Sequence, residues 1–222
     1  MKGKGTAVFY YPPGFGDYYK GIFSLKKYYS GWSIVSEAIS DFVYDLLTVS
    51  GANGHREEKN SRMLEIFEDY FQAKFYIQNQ RIYIQEKGRK YKLERSASGL
   101  KSLSGLYLML RYGLLGNILF IDEPESSLHP IYIEKLARFL LELSNVPVKI
   151  FVATHSDYFL QKVDALLNKG NFSVDVWEGH LGSDGAHWGS YVASREKLID
   201  TSPLTSAYLK LVEETYGAEN SG

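Results

Sequence analysis

Two adjacent carboxylates, Asp122 and Glu123, close a run of four apolar residues, Ile118-Leu119-Phe120-Ile121. Such a pair suits a hard divalent cation, which takes oxygen ligands, and the activation of a water molecule. The apolar run is short and uninterrupted and lies between Gly116 and Pro124, as a strand buried on both faces of a parallel sheet reads. Charge at the end of such a strand has to be paired or hold a metal. Open α/β sheets bind ligands at that C-terminal edge. On this pair alone, an acidic turn capping the next helix fits equally well. A second apolar run, Ile150-Phe151-Val152-Ala153, leads to His155. Its neutral imidazole could hydrogen-bond a phosphate or the attacking water. Thr154 and Ser156 are themselves N-cap types, so a local hydrogen bond before a helix is the plainer role. Ser98-Gly99 opens a leucine-spaced segment. Backbone N–H groups and a hydroxyl at a helix start make an anion site, although a simply capped amphipathic helix fits as well.

Those residues need a framework. From residue 118 onward the pattern predicts strand, helix, strand, helix, at 118–121, about 130–143, 149–153 and about 156–168. Pro130 suits the first turn of its helix. Upstream, Leu100, Leu103, Leu106, Leu110 and Leu114 keep helical spacing, with Gly116 as the expected stop. Residues 74–93 read as a β-hairpin with a third segment. It carries the basic cluster of the chain, Arg81, Lys87, Arg89, Lys90, Lys92 and Arg95, either as a polyanion contact or as an ordinary solvated face. Ser61 to Phe71 reads as an amphipathic helix with Ser61 as N-cap, and Ser33 to Leu47 as another. Ala7 to Tyr11 reads as a strand. Tyrosines and lysines interleave between Asp17 and Trp32, as in a packed loop or a base-stacking groove. Phe172 to Trp177 is a further strand, 183–185 a turn, 188–192 a returning strand and 204–216 a closing helix. The fold class that follows is α/β, with a largely parallel sheet flanked by helices and a small β-hairpin region.

At 222 residues the chain is long enough for one sizeable core. Its formal net charge of −1 lacks the excess of a dedicated nucleic-acid binder. With no cysteine, disulfides, thiolate metal sites and cysteine catalysis are excluded. His180 and His187 near Asp184 lack zinc-ligand spacing and read as surface residues. No apolar run has membrane-spanning length and no signal-peptide pattern opens the chain, so a cytoplasmic protein without membrane attachment is the expectation.

The stretch Asp122-Glu-Pro-Glu-Ser-Ser-Leu-His-Pro130 resembles the Walker B motif and D-loop of ATP-binding-cassette (ABC) ATPases. The resemblance is to the branch holding SMC/RecF-type proteins and the OLD-like AAA ATPases. Ser96-Ala-Ser-Gly-Leu-Lys101 is similar to that family's signature motif, and Lys149-Ile-Phe-Val-Ala-Thr-His-Ser156 to its switch-histidine strand. Three matches in order within about sixty residues make the resemblance specific. It implies a P-loop NTPase head of ABC type that uses ATP and Mg²⁺. Asp122 would then be the metal ligand, Glu123 the catalytic base and His155 the switch histidine. Ser98, Gly99 and Lys101 would meet the γ-phosphate held by an opposite subunit, and Ser126 would lie in the D-loop at the dimer seam. The signature departs from the common pattern at Leu100 and Lys101, and His129 stands where relatives often carry aspartate. Gln72, Gln78 and Gln85 all remain open as the Q-loop residue.

The P-loop pattern Gly-x-x-x-x-Gly-Lys-Ser/Thr does not occur in the 222 residues. Gly3-Lys4-Gly5-Thr6 lacks the required adjacency. The expectation is therefore the C-terminal part of an ABC-type head. It divides into residues 1–72, an aromatic-rich strand and helical region, and 73–222, the ATPase core with hairpin, signature helix, Walker B, D-loop and switch histidine. Hydrolysis of ATP to ADP and phosphate would then need a homodimer or a P-loop-bearing partner chain, and would act on DNA or a defence or repair effector. The rival from another class is a non-catalytic interaction subunit that cannot bind ATP alone. A nuclease using Asp122 and Glu123 directly would need more convergent carboxylates.

Overall fold

A computed structural model describes residues 7–10, 46, 61–79 and 81–216. The chain divides into two compact units, Met1–Thr154 and His155–Gly222. The expected helix at 33–47 and the tyrosine-lysine segment at 17–32 lie outside the described residues, save Leu46, which is helical and buried.

In the first unit three strands form a parallel sheet in the order β1-β5-β6: β1 is Ala7–Tyr10, β5 is Ile118–Asp122 and β6 is Lys149–Ala153. Helix α3, Pro130–Leu143, connects β5 to β6. This is the βαβ connection that the alternating pattern predicts, since parallel neighbours need a long crossover. Register pairs Leu119 with Ile150, Phe120 with Phe151 and Asp122 with Ala153.

The core of this unit is aromatic. Helix α1, Ser61–Phe71, places Phe67 with its ring centre 5.3 Å from Phe139 of α3. The same ring lies 5.2 Å from Tyr107 of α2, Ser98–Arg111. Phe67, Phe71, Phe75, Tyr107 and Phe139 are all fully buried. Each such side chain contributes about 1.5–3 kcal/mol. The Tyr107 hydroxyl donates to Glu68 at 2.6 Å, which satisfies its one polar atom. Helix α2 is buried nearly all round. Ser102 and Ser104 are tolerated there because their hydroxyls bond back to Ser98 O and Lys101 O.

Helix α2 ends earlier than the leucine spacing predicts. The last helical residue is Arg111, and Gly113 rather than Gly116 takes the left-handed conformation, with φ 65°. Gly113 N–H donates to Leu110 O and Leu114 N–H to Met109 O, the paired bonds of a Schellman stop. Leu114 keeps the heptad-like spacing but lies past that stop.

The predicted hairpin is a three-stranded antiparallel sheet: β2 is Ala73–Gln78, β3 is Arg81–Glu86 and β4 is Arg89–Lys92. Its inner face, with Phe75, Ile82 and Ile84, is buried. Phe75 meets Tyr107 at 5.4 Å.

In the second unit helix α4, Asp157–Lys169, is capped by the Ser156 hydroxyl, which accepts from Phe159 N–H. Strands β7, Val174–Gly182, and β8, Gly185–Ala193, form the antiparallel pair expected around Asp184, longer than the sequence signal. Helix α5, Ser202–Tyr216, closes the description. Among the described residues no helix is long and apolar enough to cross a membrane.

Candidate active site

The edge of the parallel sheet carries the carboxylate pair. Strand β5 alternates burial along its length and ends at Asp122, which is exposed. The ladder runs one residue further, because Glu123 N–H donates to Ala153 O at 2.8 Å. Glu123 itself is left-handed, with φ 46°. Left-handed backbone costs a non-glycine residue about 1–2 kcal/mol, and such strain collects at functional sites. After it the chain folds tightly. Ser126 N–H donates to Glu123 O, Leu128 N–H to Glu125 O, and Ser127 is again left-handed at φ 65°. Pro124 and Leu128 are buried and anchor the loop.

Helix α3 begins where Pro130 predicts, and its cap is His129. The imidazole Nδ1 accepts from Ile131 N–H at 3.3 Å. His129 therefore has a structural task at a helix start.

Glu125 belongs to the same loop, and sequence reasoning assigned it no role. Its Oε1 accepts the Thr154 hydroxyl at 2.6 Å, tying the loop after β5 to the residue that follows β6. Its Oε2 is buried and has no partner among the described residues. The register explains this contact, which the sequence alone did not signal. Asp122 opposes Ala153, so Thr154 lies one step past the paired edge, within reach of an acid in the first turn of the loop.

The α2 start meets this loop. A Cβ on Gly99 would lie 3.2 Å from both Ser127 O and Leu128 Cδ2. A side chain there would have to push the loop aside, so glycine sets how closely the two segments approach. The N-cap is Ala97, without a side-chain hydrogen bond. Ser98 is exposed, and Gly99, Lys101 and Ser126 are half-buried. The structure thus brings Asp122, Glu123 and Ser126 into one loop and sets Ser98 and Gly99 at the start of the helix that abuts it. His155 is the exposed first residue of the second unit, two residues past the end of β6.

No three of the His, Asp and Glu residues gather as a metal cage among the described residues. Magnesium needs no such cage. It keeps several waters and takes one or two protein carboxylates beside substrate phosphates. An exposed strand-end aspartate with a second carboxylate beside it fits that donor set.

No curated protein matches the chain. Solved structures similar to it include the SMC head domain from Thermotoga maritima, at 18% identity and TM-score 0.45, covering 66% of this chain and 52% of that one. The Smc head with an extended coiled coil bound to the C-terminal domain of ScpA, from Pyrococcus furiosus, is similar at 14% identity and TM-score 0.46. That match covers 81% of this chain and 44% of that one. The Smc head with a coiled coil and joint from Pyrococcus yayanosii matches at 16% identity and TM-score 0.49, over 78% and 34% of the two chains. The chain spans about half, or less, of each of these three. Residues 34–161, which include the carboxylate pair, the α2 start and His155, match the family described as "AAA domain, putative AbiEii toxin, Type IV TA system", and the chain belongs to that family.

Proposed function

We propose that the chain is the ATP-handling part of an ABC/SMC-like AAA ATPase of the OLD-like branch, and that it hydrolyses ATP as a dimer or with a P-loop-bearing partner. The observation that carries this reading is Asp122-Glu123 at the C-terminal edge of a parallel sheet, with Glu123 left-handed and its N–H bonded to Ala153 O. In this reading Asp122 would hold Mg²⁺, which when bound would offset the charge of the nucleotide phosphates, and Ser126 would lie in the D-loop at the dimer seam. Glu123 orients the attacking water and takes its proton. His155 contacts the γ-phosphate or that water. Ser98, Gly99 and Lys101 at the start of α2 offer N–H, hydroxyl and ammonium groups to the phosphate of an opposing subunit. DNA or a defence or repair effector is what the cycle would act on.

One observation favours a second reading, a non-catalytic interaction subunit: no Gly-x-x-x-x-Gly-Lys-Ser/Thr occurs among the 222 residues. The two readings part in one experiment. The chain alone should bind Mg-ATP no tighter than about millimolar, about 4 kcal/mol. With a P-loop-bearing lobe supplied, phosphate release should appear. Glu123→Gln should slow it by roughly 10²-fold or more and leave nucleotide binding intact, whereas Asp122→Asn should weaken Mg-ATP binding itself. Unchanged turnover in Glu123→Gln removes the catalytic base from this assignment and leaves the interaction subunit.

A further inference from the structure

The β2-β3-β4 sheet has two unlike faces. Register sets Lys74, Gln85 and Lys90 in one row, Tyr76, Tyr83 and Lys92 in the next, and Gln78 beside Arg81. All eight share the outer face, because alternate residues of a strand point the same way. That face holds four cations and no carboxylate, in a chain with 25 basic and 26 acidic residues. The one acid in these strands, Glu86, is on the opposite face, where the Tyr91 hydroxyl donates to it at 2.6 Å. An ordinary solvated sheet sets opposite charges across from each other. Here Lys92 faces Tyr83, Lys90 faces Gln85 and Arg81 faces Gln78.

The tyrosines are arranged as well as present. Tyr76 and Tyr83 stack across the strands, with ring centres 5.8 Å apart and planes 13° from parallel. Lys90 Nζ stands 4.5 Å from the Tyr76 ring centre and 5.3 Å from that of Tyr83, and donates to Gln78 Oε1 at 3.0 Å. One cation is therefore fixed over an aromatic platform. The Tyr76 hydroxyl is buried, without a hydrogen-bond partner among the described residues, so only the half-buried ring is offered on this face. Lys74 is paired with Glu68, which leaves Arg81, Lys90 and Lys92 as the cations this face can offer. Parallel rings with cations beside them match a ligand that alternates flat π-faces with negative charge. A duplex exposes base faces only at its ends, and an anionic membrane offers none.

We propose that this sheet face binds single-stranded nucleic acid, with bases extending the Tyr76–Tyr83 stack and phosphates meeting Arg81, Lys90 and Lys92. Two or three nucleotides would fill a sheet of this width. The proposal stands apart from the ATPase reading, because no ATP takes part.

The test is fluorescence anisotropy with the full chain, without ATP. The probes are labelled single-stranded DNA and RNA of about 12 nucleotides, a duplex of equal length, and vesicles containing phosphatidylserine. Both single strands should bind better than the duplex or the vesicles, and the two strands distinguish the sugar. Affinity should fall with salt at a log–log slope of about −2, three phosphates at roughly 0.7 each. Arg81→Gln/Lys90→Gln/Lys92→Gln should weaken binding at least about tenfold. Tyr83→Ala should weaken it by roughly tenfold while Tyr83→Phe keeps it, and Lys169→Gln, outside this sheet, should change nothing. Circular dichroism checks the fold of each variant. Should Tyr83→Ala not fold, the charge variant and Tyr83→Phe still decide. Absent binding, tighter binding of duplex or vesicles, or full affinity in the charge variant would overturn the proposal.

Discussion

Thr154 donates its hydroxyl to Glu125 at 2.6 Å, and the second oxygen of that carboxylate is buried without a partner among the described residues. One bond therefore keeps a half-buried carboxylate satisfied on one side only. Removing a partner from a buried polar group costs more than the bond itself contributes. Thr154→Val keeps the β-branched shape and deletes this donor, so it should lower stability by about 1–3 kcal/mol. Adding Glu125→Leu should recover much of that loss, since neither polar partner then remains. Urea denaturation of the two single variants and the double variant measures the coupling, and purely additive losses would mean that the bond carries none. The site residues were visible in the sequence as types and spacing, because an apolar run ending in two acids stands out. The strand is buried only at Leu119 and Ile121, however, and not on both faces as its sequence suggested. Glu125 was not, because its role depends on a residue twenty-nine positions away.

Helix α2 shows what an element contributes. Its leucines were legible from their spacing, and Leu100, Leu103, Leu106 and Leu110 are all buried. Its end was not, since two glycines stood close together and only the backbone decides which turns left-handed. Its start reads as an anion site or, equally, a simply capped helix, and what the geometry adds is a close approach to the loop after β5. A Cβ at Gly99 meets Ser127 O and Leu128 Cδ2, both at 3.2 Å. Gly99→Val has to displace backbone, so it should destabilise by about 1–3 kcal/mol. It should also shift the tight loop that follows Glu123. Thermal melting and the phosphate-release assay with a supplied lobe check both effects together. A variant with unchanged melting and unchanged turnover would show that the approach is looser than the geometry indicates.

At the scale of the molecule, tyrosine hydroxyls bond carboxylates within the first unit, Tyr70 and Tyr107 across distant segments and Tyr91 between neighbouring strands. Burial and then the hydrogen bond to Glu142 push Tyr70 up to about 12. The bond to Glu86, and then burial, do the same for Tyr91, to about 12. Tyr107 is raised further, by burial first and then by Glu68. A folded pKa above the unfolded value means that the native state holds the proton longer. The stability is then fully present below the ordinary value of 10.0 and is lost as pH rises through about 12. Denaturant midpoints should fall across that window, and Tyr70→Phe with Tyr91→Phe should flatten the fall. An equal slope in the double variant would assign the alkaline loss to other groups. By itself, the sequence determined the order and type of elements from residue 61 onward, because local periodicity and turn residues carry that information. It also determined which residues could do chemistry. Only the tertiary structure decided that β1 joins β5 across more than a hundred residues, that Gly99 meets the loop at Ser127, and that Arg81, Lys90 and Lys92 share one face with Tyr76 and Tyr83. Register and long-range contact depend on how elements pair in space, and periodicity along the chain does not encode which partner each one meets.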